Sequence, residues 1–230
     1  MSLSLSFCVA LVVSIFLLAP NAHAAPITYE ISGVASGAIG TTTFTNASVE
    51  LTGTGNTANV SSFVVSGDTI FGNPFNTFTV TIGGIGTATI TDPSEIWAIP
   101  ISSIFPVPAV VIGRIDRPPA LDSITGLGAV GSNALAGYEG TTGIGPITDE
   151  GGIGFPACGG PMQDPCVHTT LGLLSFSANL STNPTGQGTF VATVASVPEP
   201  ATLFLVVCGA AALLVRRVFV AKNRATGAYF

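Results

Sequence analysis

Apolar and polar residues alternate with a period of two along much of this 230-residue chain. In the segment 27–32, Ile27, Tyr29 and Ile31 share one face, while Thr28, Glu30 and Ser32 share the other. The same alternation runs through 48–52, 77–82, 87–91, 174–180 and 188–194, with Thr and Ser at most polar positions. Successive side chains of a strand point to opposite faces, so each segment predicts a half-buried strand with its hydroxyls toward water. Val60 to Ser66 predicts a shorter, more apolar strand. Clusters of Gly, Asn and Pro at 53–56, 72–74 and 183–186 predict turns between these strands. The alternation loosens from Pro93 to Pro119, where a helical turn is expected near Glu95 to Ala98. From Gly126 to Pro165 the glycine content predicts one long connection, and long connections are where binding sites concentrate. The segments 171–180 and 188–194 are expected to close the domain as a hairpin. No segment between 25 and 195 holds a 3.6-residue period. Regular turn spacing without helices implies an all-β fold, an antiparallel β-sandwich of jelly-roll-like form. The roughly 170 residues of 25–195 suffice for one such domain with its own core.

Both ends depart from this pattern. Leu3 to Leu18 is an apolar run broken only by serines, followed by Ala22-His23-Ala24. An apolar stretch ending in A-x-A predicts a secretory signal peptide over 1–24, cut after Ala24. At the other end, residues 196–230 hold Val197-Pro198-Glu199-Pro200, an uncharged apolar run over 201–215, and Arg216-Arg217. The two prolines enforce an extended, accessible backbone. The run predicts one transmembrane helix, with its basic flank on the cytoplasmic side and the bulk of the chain facing outward. At 1.5 Å per residue, 201–215 spans roughly 22 Å of a core about 30 Å thick. Extending the helix to 221, or snorkelling by Arg216 and Arg217, closes that gap.

In this order, Pro198-Glu199-Pro200, the apolar span and Arg216-Arg217 resemble the PEP-CTERM sorting signal. The resemblance covers about thirty residues. It implies an exported protein of an outer-membrane-bearing bacterium that makes exopolysaccharide. It also implies cleavage at or near Pro-Glu-Pro by a membrane-embedded exosortase, after passage through the secretion machinery. The product would reach the cell surface or extracellular matrix from an inner-membrane-anchored precursor.

Charge changes the picture further. Between 25 and 198 there are eleven acidic residues and two basic ones, Arg114 and Arg117, for a net charge of −9. An acidic domain without lysine has no footprint for nucleic acid or anionic lipid. Cys158 and Cys166 lie in a Gly/Pro-rich loop of an exported segment, which reads as a disulfide worth about 2–3 kcal/mol. The rival reading is a metal site of Cys158, Cys166 and His168, which lacks an evident fourth ligand.

Catalytic chemistry is sparse. G-x-G-x-x-G occurs at Gly126 to Gly131 with Glu150 about twenty residues on, but no βαβ pattern surrounds it. His168 is the single histidine between 25 and 198, too little for a recognisable nucleophilic triad. The carboxylates Asp149, Glu150, Asp92, Glu95 and Glu139 carry no glycosidase signature, and Asp149, Glu150 and Asp164 lack calcium-loop spacing. Arg114 and Asp116 are spaced to pair on one strand face. The sequence therefore calls for no catalytic residue, cofactor or metal. A carbohydrate-binding module for exopolysaccharide, with Trp97 as stacking residue beside Tyr29 and Tyr138, is the alternative. A secreted hydrolase using the loop carboxylates is the second.

Overall fold

Among the described residues, thirteen strands form two antiparallel sheets. The structure is a computed structural model and describes residues 24–65, 67–101, 107–114, 125–150, 167–177 and 188–196. The chain divides into two compact units, His23–Ala195 and a second made of 1–22 with 196–230. Every described residue except Ser196 belongs to the first unit. The expected signal peptide up to His23, the cysteine pair, the sorting motif and the 201–215 helix all lie outside the described residues. Among the described residues, no helix is long and apolar enough to cross a membrane.

The larger sheet is built on a long hairpin of β1 (Pro26–Ile39) and β2 (Thr42–Asn56). It continues on one side through β5 (Thr77–Ile82) and β6 (Gly86–Thr89), and on the other through β13 (Thr189–Val194) and β10 (Ile144–Thr148). β1 has two partners on that second side. Its first half, Ile27 to Ser32, pairs with β13, and its last residues, Gly37 to Ile39, pair with β12 (Gly172–Phe176). Between these halves the register shifts by one, with Thr45 and Asn46 of β2 standing against Ser36 of β1, a bulge in β2 at which Asn46 takes a positive φ of 49°. β12 pairs with the short β11 (His168–Thr169), and Thr169 bridges Ile90 just past β6. The path β1–β2–β5–β6–β11–β12 thus returns almost to its start, which leaves few open edges.

The second sheet runs β3 (Ser61–Val65), β4 (Asp68–Pro74), β7 (Ser94–Ile99), β8 (Ala109–Arg114) and β9 (Thr125–Gly131). Inward residues of both sheets share one core. Ile27, Tyr29, Ile31, Leu51 and Val80 of the first pack in the same cluster as Ile96, Val110 and Ile112 of the second. Each fully buried aliphatic side chain there contributes roughly 1.5–3 kcal/mol of transfer free energy. The second sheet also buries its other face. Ile70, Trp97, Ile99, Val111 and Ala129 form a separate cluster with Phe63 against it.

Several expectations need correction. Glu95 to Ala98 is not helical but lies within β7, whose burial on both faces erased the alternation. The connection expected from Gly126 holds two strands, β9 and β10, before the described residues pause at Glu150. Gly72-Asn73-Pro74 ends β4 rather than forming a turn. Gly53 and Gly55 lie inside β2, where a Cβ on Gly53 would strike the Phe75 ring. One on Gly55 would sit 3.0 Å from Asn73 Oδ1. Those glycines make room for the side chains of Phe75, between β4 and β5, and Asn73 of the other sheet rather than forming a turn. Finally, β12 and β13 do not pair as a hairpin, because each takes a different half of β1.

Candidate functional site

The chain enters and leaves the larger sheet at one pole. Ile27 of β1 stands opposite Val194 of β13, and the Ala195 N–H donates to the Pro26 carbonyl at 2.9 Å. Ala25 is buried, its N–H donating to Thr57 Oγ1 and its carbonyl accepting from the Thr57 N–H, both at 3.0 Å. Thr57 opens a short 3₁₀ turn, Thr57–Asn59, capped by the Asn56 side chain, which accepts from the Ala58 N–H at 2.9 Å. Of the expected signal-cleavage residues, Ala24 is the exposed residue just before this clamp, and Ala22 lies outside the described residues. The fold therefore holds Pro26, just past the expected Ala24–Ala25 junction, beside Ala195 at the end of the same unit.

Next to this pole runs a buried polar chain. Asn73 Nδ2 donates to the Tyr29 hydroxyl at 2.6 Å, and Tyr29 donates to the Gly140 carbonyl at 2.5 Å. This ties β4, β1 and the loop before β10 together through the core. Burial disfavours the phenolate and pushes Tyr29 up to about 12, partly offset by the Asn73 amide. Burial, and then the proximity of Tyr29, also raises Tyr138 well above the usual phenol value. Asn73 Oδ1 is buried without a hydrogen-bond partner among the described residues.

Trp97 is no sugar platform. The residue is 4% exposed within the outer cluster of the five-stranded sheet, and its Nε1–H donates to Glu95 Oε1 at 2.5 Å. A ring packed in this way offers no face to a sugar, which corrects the expectation of stacking there. Tyr29 is fully buried, and Tyr138 stacks edge-on to Phe190 at 5.8 Å. The three aromatic candidates are thus dispersed through cores. Burial raises the Glu95 carboxyl above its ordinary range, and the Trp97 N–H partly counters it.

The loop acids act as staples. Asp149 is buried and accepts from the Gly131 N–H at 2.9 Å, fastening the end of β9 to the segment after β10. Glu150 accepts from the Asn133 N–H at 3.3 Å. Gly126 to Gly131 runs along β9 as a strand, which is not a phosphate loop. Among the described residues no group of three or more His, Cys, Asp or Glu side chains is placed to hold a metal. Cys158, Cys166, Asp164 and Asp116 lie outside the described residues.

No protein-family model, curated protein or solved structure matches this chain.

Two pairings escaped the sequence because their members stand far apart. His168 and Asp92 are 76 residues apart, with His168 N–H to Asp92 Oδ2 at 2.8 Å and Nδ1 to both carboxylate oxygens at 3.2 Å. They fasten β11 to the chain just past β6, at the point where the strand path closes. Tyr29 and Asn73 are 44 apart. The one available signal was a tyrosine at an inward position of an alternating strand, since a buried hydroxyl demands a partner.

Proposed function

We propose that this chain is an exported, non-enzymatic surface or matrix protein whose β domain is cargo and whose C-terminal residues are a detachable sorting signal. The observation that carries this reading is the order of three unlike elements: Val197-Pro198-Glu199-Pro200, the apolar run 201–215, and Arg216-Arg217. Export would remove 1–24, anchor the precursor in the inner membrane through 201–215, and present Pro198-Glu199-Pro200 to an exosortase. The pairing of β1 with β13 supports it, since Pro26 and Ala195, the bonded residues nearest the two expected junctions, lie at one pole. Neither cut would break a strand, because Val194 is the last residue of β13 and Pro26 the first of β1. We read the domain itself as a jelly-roll-like β-sandwich, supported by the single core that the two sheets share.

The test replaces Pro198, Glu199 and Pro200 together by alanine in the native host, followed by cell fractionation. The parent protein should leave the membrane fraction, and the variant should stay in it. Equal distribution of the two would overturn the reading.

A further inference from the structure

The outer face of the eight-stranded sheet carries threonines in cross-strand register. One row runs Thr193, Thr28, Thr54, Thr77 across β13, β1, β2 and β5. The next runs Val191, Glu30, Thr52, Thr79, Thr89 and reaches β6. A third runs Thr189, Ser32, Glu50, Thr81, Thr87. Side chains of a row stand about 4.8 Å apart, and rows repeat roughly every 6.8 Å along the strands. Neighbouring hydroxyls bond to each other across strands, Thr54 to Thr77 at 2.5 Å and Thr81 to Thr87 at 2.9 Å. Thr52 donates to Glu50 Oε1 at 3.1 Å. Thr79 donates to the Thr52 carbonyl at 3.4 Å, so the hydroxyls of Thr52, Thr54, Thr77, Thr79, Thr81 and Thr87 are oriented by the sheet and keep lone pairs free to accept.

Threonine on the wet face of a strand is ordinary, because its branched Cβ suits the pleat. What is not ordinary is a face spanning five strands with no lysine, arginine, asparagine or glutamine at these positions. Its chemistry excludes most partners. It holds no aromatic, Met or Arg side chain, the types that anchor protein interfaces. It holds no positive charge for nucleic acid, anionic glycan or lipid head groups, and its two charges, Glu30 and Glu50, repel all three. Burial, then the Glu50 charge, raises the Glu30 carboxyl above its usual range, so the two acids already feel each other. What remains is a ligand that is neutral, extended and rich in hydroxyls. Carboxylates accept paired hydrogen bonds from vicinal diols, and the threonine rows give and take hydrogen bonds along a chain. The right-handed twist of a sheet suits a flexible polymer better than a rigid planar lattice such as ice.

We infer that this face binds a neutral polysaccharide laid across β1, β2 and β5, with Glu30, Thr52 and Thr79 at its centre. The inference goes beyond the sorting reading and does not depend on how the tail is processed. The test uses the full chain in mild detergent, titrated against cellulose, dextran, mannan and starch, with alginate as the anionic comparison and ice recrystallisation as a separate assay. Binding to at least one neutral glycan is expected, with no binding to alginate. The double variant Thr52→Val, Thr79→Val keeps the branched Cβ, and an unchanged melting curve verifies its fold. It should lose about tenfold in affinity, since two hydrogen bonds of modest strength disappear. Glu30→Gln, which keeps shape and acceptor while removing charge, should bind measurably more weakly. Failure to bind any of the neutral glycans, preference for alginate, ice-crystal shaping without glycan binding, or unchanged affinity of the folded double variant would each overturn the inference.

Discussion

The outer face of the eight-stranded sheet sets Thr52, Thr79 and Thr89 in register toward water, whereas the outer face of the five-stranded sheet buries Trp97, Ile99 and Val111. The first sheet has one wet side, so its strands alternate in sequence. The central strands of the second have none, so β7 and β8 read as near-continuous apolar runs, Ile96 to Ile99 and Ala109 to Ile112, while its edge strand β3 keeps Val64 exposed. Periodicity therefore reports how many faces a strand buries as much as whether it is a strand.

The largest expected effect tests the dry side. Trp97→Ala should destabilise by about 3–5 kcal/mol in urea unfolding, the range for a large aromatic lost from a core. Thr79→Ala on the wet side should cost under about 1 kcal/mol. A small loss at Trp97 would break the contrast.

Next comes the polar chain through the shared core. Tyr29→Phe leaves the Asn73 amide and the Gly140 carbonyl without the hydroxyl they share, and should cost about 1–3 kcal/mol. Tyr29 is raised from 10.0 in the unfolded chain to about 12 in the fold, so the native state holds its proton longer. Stability is then fully present below pH 10 and is lost as pH rises through 10 to 12. Melting temperature followed across that window should fall steeply in the parent and less steeply in Tyr29→Phe. An equal slope in both would remove Tyr29 from the account.

Gly53→Ala should cost about 1–3 kcal/mol by overpacking against Phe75, measured by thermal melting. If it stabilises, as alanine does in an unobstructed strand, the close approach is not a constraint. The smallest effect belongs to the exposed clasp, where His168→Gln should shift stability by under about 1 kcal/mol.

Much of the fold was legible. The alternating segments at 27–32, 77–82 and 188–194 became β1, β5 and β13, because their inward Ile27, Val80 and Phe190 face a core while the residues between them stay wet. Three things were hidden. β7 lost its alternation to two-sided burial. β9 read as a glycine loop because Gly126, Gly128 and Gly131 dilute Leu127 and Val130, which are nonetheless buried. The threonine rows were present as single strands, but their alignment depends on register, which pairing alone sets. The same holds for Asp92 with His168. Sequence shows which residues alternate, while only topology shows which of them become neighbours.

Intact-mass measurement of the protein recovered from the cell surface or matrix tests the central reading most directly. The expected mature chain begins at Ala25 and ends within Pro198-Glu199-Pro200. A mature chain that still carries residues 201–230 would contradict it.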